Sequence, residues 1–251
     1  MSVDPVLELH GVRKAFGSNV VYDGLELAVE KGETFTVLGP SGTGKSVLLK
    51  LLIGLLRPNA GTIRVCKWDV LALGESELRE LRRTVGMLFQ GAALFDSMSV
   101  GENVAYGLRE HYRWSERKIR ERVAECLDWV GLPGIERMFP ADLSGGMKKR
   151  VGLARALAPG PEVILYDEPT TGLDPANTRR INELIVSMRK RLGVTQVVIT
   201  HDIASALAVS DRVGLVCRHR IAPVVTVAEA RDRPPPELES FMRGEELEGA
   251  A

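Results

Sequence analysis

Residues 39–46 read Gly39-Pro40-Ser41-Gly42-Thr43-Gly44-Lys45-Ser46 and match the pattern G-x-x-x-x-G-K-[ST]. This stretch follows the apolar run Thr34–Leu38 and precedes a segment with helical character. Glycines in such a loop let backbone N–H groups point inward, and the helix that follows adds the positive end of its dipole. We expect the loop to bind phosphate groups, with Lys45 on the β- and γ-phosphates and Ser46 on Mg²⁺. A chance match is the alternative, and the strand and helix on either side argue against it.

Other apolar runs end in polar residues in the same way. Short unbroken runs rich in β-branched residues are typical of strands buried on both faces, as in a parallel sheet. In an open α/β sheet, ligands bind beyond the carboxyl ends of the strands. The polar residues that follow these runs are therefore expected to lie near the phosphate loop. The runs are residues 34–38, 163–166, 196–200 and 213–217.

Two adjacent carboxylates, Asp167 and Glu168, follow the run at 163–166. A buried strand that ends beside the phosphate loop would bring Asp167 to the Mg²⁺ shell. Glu168 would then lie where it can act as a general base on the attacking water. A helix cap or a loop charge is the alternative for such a pair, and the nearby phosphate loop makes it the weaker one.

The composition is that of an ordinary globular protein. The chain has 251 residues, 45% of them apolar, with 33 basic and 33 acidic side chains. Zero formal charge argues against a protein that binds nucleic acid mainly through bulk charge. The three cysteines form no C-x-x-C pair, which argues against a disulfide framework or a zinc site. We expect no signal peptide and no membrane span, so any work at a membrane would go through a partner.

The segment between the two nucleotide motifs favours helices. Ser115 and Ser144 each precede a helical pattern, and Asp174-Pro175 begins another helix that Gly193 ends. We expect one domain over residues 1–230, with an α/β core at about 1–90 and 161–225 and an inserted helical subdomain at about 91–160. Residues 231–251 are expected to form a loosely attached extension with a solvated or disordered end, and the alternative for residues 238–242 is packing against the opposite subunit of a dimer.

The stretch Leu143-Ser144-Gly145-Gly146-Met147 opens one of these helices. The hydroxyl of Ser144 and the free N–H groups of Gly145 and Gly146 make a second anion site. One nucleotide hardly needs two phosphate-binding helix starts from the same chain. We therefore expect two chains arranged head to tail, with each ATP between the 39–46 loop of one and residues 144–146 of the other.

Taken together, these motifs resemble the nucleotide-binding subunits of ABC transporters, over roughly residues 7–225. The resemblance implies an α/β P-loop NTPase fold with a RecA-like core and an inserted helical subdomain, and ATP and Mg²⁺ as ligands. It implies that Phe16 stacks on adenine, that Gln90 touches Mg²⁺ and the attacking water, and that His201 contacts the γ-phosphate. It also implies that Asp174 lies in a loop across the dimer interface.

The expected site falls into three sets. The catalytic residues are Glu168, His201, Gln90 and Lys45, and the Mg²⁺ ligands are Ser46, Gln90 and Asp167. The residues expected to contact ATP are Phe16, Gly39, Pro40, Ser41, Gly42, Thr43, Gly44, Lys45, Ser46, Val47, Ser144, Gly145, Gly146 and Asp174. Simpler structural roles remain open: Phe16 as a core aromatic, Asp174 as a helix cap, His201 as a structural histidine, and residues 148–150 as a solvated basic helix face.

Two departures from the family pattern resemble one branch, the ATPases of the Mla/Mce lipid-transport systems. Met147 stands where most of the family has Gln, and Val47 stands where it has Thr. Residues 44–50 and 89–98 also resemble that branch. The resemblance implies phospholipid movement between membranes, a permease docked near Gln90–Val100, an Mce-domain lipid-binding partner, and a position on the cytoplasmic face of the inner membrane.

Three other functions compete with the lipid transporter. An ABC subunit for another small-molecule cargo would share every catalytic residue and differ at the permease contact. A DNA-repair ATPase of this class would carry a long coiled coil between Lys45 and Asp167, and a translation factor would carry two cassettes. No sustained heptads are present here, and there is one cassette. An inactive scaffold is disfavoured because the expected catalytic residues are all present.

Overall fold

The computed structural model describes residues 5–245. Its larger sheet has six strands: β3 (Thr34–Leu38), β6 (Val85–Leu88), β7 (Val163–Asp167), β8 (Thr195–Thr200), β9 (Arg212–Cys217) and β10 (Arg220–Thr226). The strand order is β10-β9-β3-β8-β7-β6, and all neighbours are parallel except β9 and β10. Every residue of β3 is buried, as expected for a strand covered on both faces. The loops after β3, β7 and β8 therefore meet at one edge of the sheet.

A second sheet of four strands was not expected from the sequence. It consists of β1 (Leu7–Phe16), β2 (Asn19–Val29), β4 (Ala60–Val65) and β5 (Trp68–Asp69), all antiparallel. The alternation of buried and exposed residues in β1 is interrupted at His10 and Gly11, where the pairing registers with β2 and β4 both shift. These shifts hide the period of two that identifies a half-buried strand.

Nine helices and one 3₁₀ turn complete the part of the chain that is described. They are α1 (Lys45–Leu52), α2 (Glu75–Thr84), α3 (Val100–His111), α4 (Glu116–Trp129), the turn Pro140–Asp142, α5 (Gly145–Leu157), α6 (Pro175–Leu192), α7 (Ile203–Val209), α8 (Val227–Asp232) and α9 (Pro236–Met242). From β6 to β7 the chain is helical, and α3, α4 and α5 pack on one another. Asp174 caps α6, and Gly193, at φ 65°, ends it.

The apolar core lies on both faces of the larger sheet. On one face, α1 and the antiparallel sheet pack against β3, β7 and β8 through residues such as Leu48, Leu49 and Ile63. On the other face, α3 to α6 enclose Tyr166, Ile185 and Leu153. Within residues 5–245, no helix combines the length and hydropathy that a membrane crossing requires.

The expected solvated or disordered end is wrong for residues 236–242, which form a docked helix, while residues 231–233 and 243–245 are exposed. Helix α8 continues to Asp232, and α9 packs on β9 with Leu238 only 2% exposed beside Leu215 and Ala230. Phe241 and Met242, three and four residues further along α9, pack against the same cluster. This short apolar stripe has helical spacing, and it covers surface that β9 and α8 would otherwise expose. Residues 246–251 lie outside the described part of the chain.

Candidate functional site

The loop from Gly39 to Gly44 connects β3 to α1, as the sequence predicts. Gly44 has φ 92° and precedes the first residue of α1. A methyl group added at Gly44 would lie 2.2 Å from Cγ1 of Val21, so strand β2 approaches the loop too closely for any side chain. The Tyr22 hydroxyl also donates to the Gly44 carbonyl at 3.0 Å. The antiparallel sheet therefore supports the phosphate loop from one side.

Lys45 lies at the base of this loop and is 6% exposed. Its Nζ donates to the carbonyl oxygens of Gly39 and Pro40, at 2.7 and 2.8 Å, and lies 3.6 Å from Oε1 of Glu168. Burial lowers the pKa of the Lys45 ammonium, while the charge of Glu168 acts in the opposite direction. The Lys45 ammonium is thus held at the base of the loop, with the Glu168 carboxylate across from it.

Ser46 and Asp167 face each other across the gap between α1 and β7. The Ser46 hydroxyl donates to Oδ1 of Asp167 at 3.2 Å. Burial raises the pKa of Asp167, and the hydrogen bond from Ser46 opposes that shift. Mg²⁺ prefers oxygen ligands and is typically held by one or two carboxylates together with substrate phosphates. A hydroxyl and a carboxylate this close beside a phosphate loop fit that ion, so Ser46 and Asp167 would hold it.

Glu168 is the most strongly held carboxylate of the site. Its Oε2 accepts hydrogen bonds from the hydroxyls of Thr171 and Thr200, each at 3.1 Å, and lies 3.0 Å from Nδ1 of His201. Burial raises the pKa of the Glu168 carboxyl, but the hydrogen bond from His201 and the charges of His201 and Lys45 outweigh it. The pKa therefore lies below its ordinary value, and the carboxyl is ionised at neutral pH.

Sequence reasoning missed the two threonines that hold Glu168. Thr200 is the last residue of β8 and Thr171 lies three residues after Glu168. Their only sequence signal is that both stand beside the expected catalytic residues, at the carboxyl ends of neighbouring strands.

A cavity of about 390 Å³ joins these residues. All four expected catalytic residues line it, but only half of the whole expected site does: Gly39, Pro40 and Thr43 of the loop are not among the lining residues, and Asp167 reaches the cavity only through Ser46. The lining residues are Ser41, Gly42, Gly44, Lys45, Ser46, Val47, Gln90, Glu168, Thr171 and His201. The cavity thus brings together the loop after β3, the glutamine after β6, the carboxylate after β7 and the histidine after β8.

Phe16 is not among the residues that line this cavity. It lies at the end of β1, paired with Asn19, and its side chain is 48% exposed. The Nζ of Lys14 lies 4.6 Å from the centre of the ring. This exposure excludes the alternative that Phe16 is a core aromatic. An exposed ring on the β1–β2 hairpin, whose second strand supports the phosphate loop, is available for a planar ligand.

The second expected anion site lies apart from the cavity. Ser144 caps α5, accepting from the Met147 N–H at 3.3 Å, and both Ser144 and Gly145 are exposed. None of residues 144–146 lines the phosphate-loop cavity. Asp174 similarly caps α6 by accepting from the Asn177 N–H at 2.9 Å, and it too is exposed. The helix-cap role of Asp174 is therefore real, and it leaves the carboxylate on the surface.

The solvated basic face expected at residues 148–150 is wrong for Lys149 and Arg150, which are both buried. Arg150 donates to the carbonyls of Val130 and Gly131, at 3.2 and 3.1 Å, at the end of α4. Lys149 donates to the main-chain oxygen of Glu168 at 2.9 Å. Each cation is thus paired with carbonyl oxygens of another segment, which the local sequence pattern does not reveal.

An apolar groove of about 440 Å³ lies beside the segment that follows Gln90. Four large exposed side chains line it: Leu55, Phe89, Phe95 and Tyr106. The segment itself is held from within. Buried Asn103 accepts from the Phe95 N–H and donates to the carbonyls of Phe95, Met98 and Ser99, and Arg155 donates to those of Ala92 and Ala93.

Comparisons with known proteins agree with this architecture. The ABC transporter family model matches residues 22–171. The probable ribonucleotide transport ATP-binding protein Mkl of Mycobacterium leprae is 44% identical over 88% of this chain and 64% of its own length. The methionine import ATP-binding protein MetN 2 of Rhodococcus jostii is 43% identical over 95% and 71%. The intermembrane phospholipid transport system ATP-binding protein MlaF of Haemophilus influenzae is 38% identical over 96% and 91%.

Solved structures give the same result for the fold. The cbiO1 protein of Clostridium perfringens, part of an ABC transporter complex, is 29% identical, with a TM-score of 0.85 over 96% of both chains. The ATP-binding cassette MJ0796, solved as a dimer bound to ADP and Pi, is 31% identical, with a TM-score of 0.80 over 88% of this chain and 98% of its own. The chain spans less than two thirds of the Mycobacterium leprae relative, at 64%. The family match, the relatives and the sheet topology agree: the chain belongs to the ABC transporter family as an ATP-binding cassette domain.

Proposed function

We propose that the chain hydrolyses ATP as one half of a head-to-tail homodimer and powers a membrane permease. The observation that carries the hydrolytic part is the setting of Glu168, ionised and held by three neighbours across from Lys45. In the reaction, water attacks the γ-phosphorus while the bond to the ADP oxygen breaks. Glu168 accepts the proton from that water, and Lys45 neutralises phosphate charge. Mg²⁺, when bound by Ser46 and Asp167, supplies further neutralisation of the phosphates.

The homodimer is supported by the exposed caps of α5 and α6. Ser144, Gly145 and Asp174 carry anion-binding or polar groups on the surface, away from the phosphate loop of their own chain. In a head-to-tail pair, the N-terminus of α5 would close over the nucleotide of the partner. A cassette of similar fold is known as a dimer bound to ADP and Pi.

A permease contact is supported by the apolar groove beside Gln90. Exposed aromatic residues in a concave surface are typical of protein–protein contacts. The groove continues into the segment of Gln90, which lines the phosphate-loop cavity. A permease element seated there would therefore sense the occupancy of the nucleotide site. We place the chain on the cytoplasmic face of the inner membrane, bound to such a permease.

For the cargo we propose phospholipid, in a complex that also contains an Mce-domain lipid-binding protein. Support comes from the branch-specific residues at 44–50 and 89–98, the second of which borders the groove, and from the likeness to the phospholipid transport protein of Haemophilus influenzae over 91% of its length. The second candidate is a small-molecule cargo other than a lipid. It is favoured by relatives of higher identity whose names specify ribonucleotide or methionine transport.

The test is to purify the tagged chain from detergent-solubilised membranes of its host and to identify bound proteins and lipids by mass spectrometry. We expect a permease, an Mce-domain protein and phospholipid. A permease with a different binding protein would overturn the lipid assignment but keep the transporter. Recovery with ribosomes or nucleic acid would overturn both.

The control variant Tyr106→Glu places a charge in the groove, and we expect it to lose the permease while its ATP hydrolysis persists.

A further inference from the structure

Lys149 is a buried lysine that the mechanism above does not use. Its side chain is 6% exposed, and its Nζ donates to the main-chain oxygen of Glu168 at 2.9 Å. Lysine is almost never buried without a partner, so the choice of partner is informative. Burial lowers the pKa of the Lys149 ammonium, while the charges of Glu168 and Asp167 act in the opposite direction. The ammonium therefore contacts the main chain of Glu168, and Lys149 is not among the residues that line the cavity.

The backbone of Glu168 is unusual for a residue with a side chain. Its φ is 48°, in the left-handed region that favours glycine. Such a conformation persists only where the surroundings hold it. Three contacts to its main chain hold it here: the Glu168 N–H donates to the carbonyl of Ile199 at 3.0 Å, and the Glu168 carbonyl accepts from Lys149 at 2.9 Å and from the Thr171 N–H at 3.4 Å. The first contact belongs to the sheet and the last to the turn after Glu168, while the shorter contact of the carbonyl belongs to helix α5.

Helix α5 joins Lys149 to the exposed Ser144 within little more than one turn. The start of α5 is also packed tightly, since a methyl group added at Gly146 would lie 2.5 Å from Oδ1 of Asn177. Helix α5 therefore connects the exposed cap at Ser144 to the main chain of the catalytic residue. A displacement of the N-terminus of α5 would displace the ammonium that holds Glu168.

We propose that Lys149 is a positioning residue for Glu168: its ammonium fixes the main chain of the general base and ties it to helix α5. The proposal rests on the hydrolytic function proposed above. In the head-to-tail dimer, the N-terminus of α5 closes the nucleotide site of the partner. Lys149 then links the main chain of the base in one site to the helix that closes the other site.

The test compares ATP hydrolysis by the full chain with that of Lys149→Met, Lys149→Arg and the surface control Lys190→Met. Methionine keeps the length and apolar stem of lysine but removes the donor. We expect kcat to fall at least tenfold in Lys149→Met with KM for ATP within twofold of the unsubstituted chain. Lys149→Arg, which keeps a cationic donor, should retain most of kcat, and Lys190→Met should equal the unsubstituted chain. A purely structural role would lower the melting temperature without this kcat-against-KM split.

The proposal is overturned if Lys149→Met folds and its kcat lies within twofold of that of the unsubstituted chain. If that variant does not fold, Lys149→Arg is compared with Lys149→Leu, which also lacks a donor, and equal kcat for the two overturns the proposal. Glu168→Gln is assayed in parallel. If the unsubstituted chain hydrolyses ATP, Glu168→Gln abolishes this activity and Lys149→Met does not, only the proposed role of Lys149 is overturned. If the unsubstituted chain does not hydrolyse ATP, or if Glu168→Gln is as active as the unsubstituted chain, the proposed hydrolytic function is overturned as well.

Discussion

Oε2 of Glu168 lies 3.0 Å from Nδ1 of His201, although the two residues follow different strands of the sheet, β7 and β8. The parallel pairing of these strands brings their carboxyl ends level, with Asp167 opposite Ile199. The contact turns Oε2 toward His201, while Oε1 remains directed toward Lys45. One carboxylate oxygen is thus occupied in holding the side chain, and the other faces the nucleotide site.

Replacing Glu168 by Gln removes the proton acceptor with little change in shape. We expect the variant to bind ATP and to dimerise, because Lys45, Ser46 and the α5 cap remain. Turnover should fall by roughly 10²–10⁴-fold, the usual contribution of a general base. Steady-state hydrolysis gives kcat, and size-exclusion chromatography with light scattering gives the mass with and without ATP. Near-normal turnover would remove Glu168 as the base.

The lowered pKa of Glu168 predicts the pH dependence of turnover. A carboxylate whose pKa lies below its ordinary value stays ionised above that pKa and is lost as a base when the pH falls through it. We therefore expect the acidic limb of the kcat profile to lie below the ordinary glutamate pKa of about 4.3. In His201→Ala, the burial that raises the pKa of Glu168 remains, but the main contact that lowers this pKa is lost. The acidic limb of the remaining activity should therefore move to higher pH.

The matched control for this shift is His10→Ala, which removes a histidine on β1 outside the cavity. Its profile should coincide with that of the unsubstituted chain. An acidic limb at the same pH in all three proteins would mean that Glu168 is not the group that titrates.

Gly146 and Gly145 predict opposite responses to alanine. A methyl group at Gly146 collides with the side chain of Asn177, which donates to Asp174, whereas at Gly145 the nearest atom is 3.9 Å away. We expect Gly146→Ala to lose about 1–3 kcal/mol of stability, as overpacked sites do. Gly145→Ala should be neutral or slightly stabilising. Chemical denaturation measures both, and equal stabilities would mean that α5 and α6 are not packed as described.

Helix α9 predicts a local effect of Leu238. Truncating a buried Leu to Ala typically destabilises the packing around it by about 2–5 kcal/mol. We expect a helix of seven residues to undock after a loss of that size. We expect Leu238→Ala to speed limited proteolysis within residues 233–245 while the rest of the domain stays resistant. Glu237→Ala, a change on the same helix outside the apolar stripe, should be cleaved like the unsubstituted chain. Unchanged cleavage of Leu238→Ala would contradict the docking of α9.

The parts of the fold that the sequence predicts are those with a strong local pattern. Strands β3, β7 and β8 are buried on both faces and appear in the sequence as nearly continuous apolar runs, and α6 carries both a capping Asp and a terminal Gly. The sequence analysis did not predict the antiparallel sheet. In β1 the register shifts around His10 and Gly11 break the alternation that identifies a half-buried strand, whereas residues 25–29 of β2 do alternate between buried and exposed positions.

The candidate site follows the same rule. Lys45, Ser46 and Asp167 stand in motifs whose spacing forces them together, so the sequence predicts their meeting. Lys149 was assigned to a solvated face because its partner, the Glu168 carbonyl, lies on another element. Partners that tertiary packing alone supplies leave no trace in a local pattern.

In the proposed homodimer, each active site is built from the phosphate loop of one chain and the α5 cap of the other. Ser144→Arg fills the α5 cap with a bulky cation, so we expect it to bind ATP as a single chain but not to turn it over. Lys45→Ala should fail because its own phosphate loop is defective. Each variant alone is then inactive for a different reason.

Mixing these two inactive variants tests the head-to-tail arrangement most directly. In a mixed dimer, one site combines both defects, and the other pairs the intact loop of Ser144→Arg with the intact α5 cap of Lys45→Ala. We expect ATP hydrolysis to reappear on mixing and to rise with the fraction of mixed dimer. If both variants are folded and the mixture stays as inactive as its parts, or if Ser144→Arg alone cannot bind ATP, the shared site is contradicted.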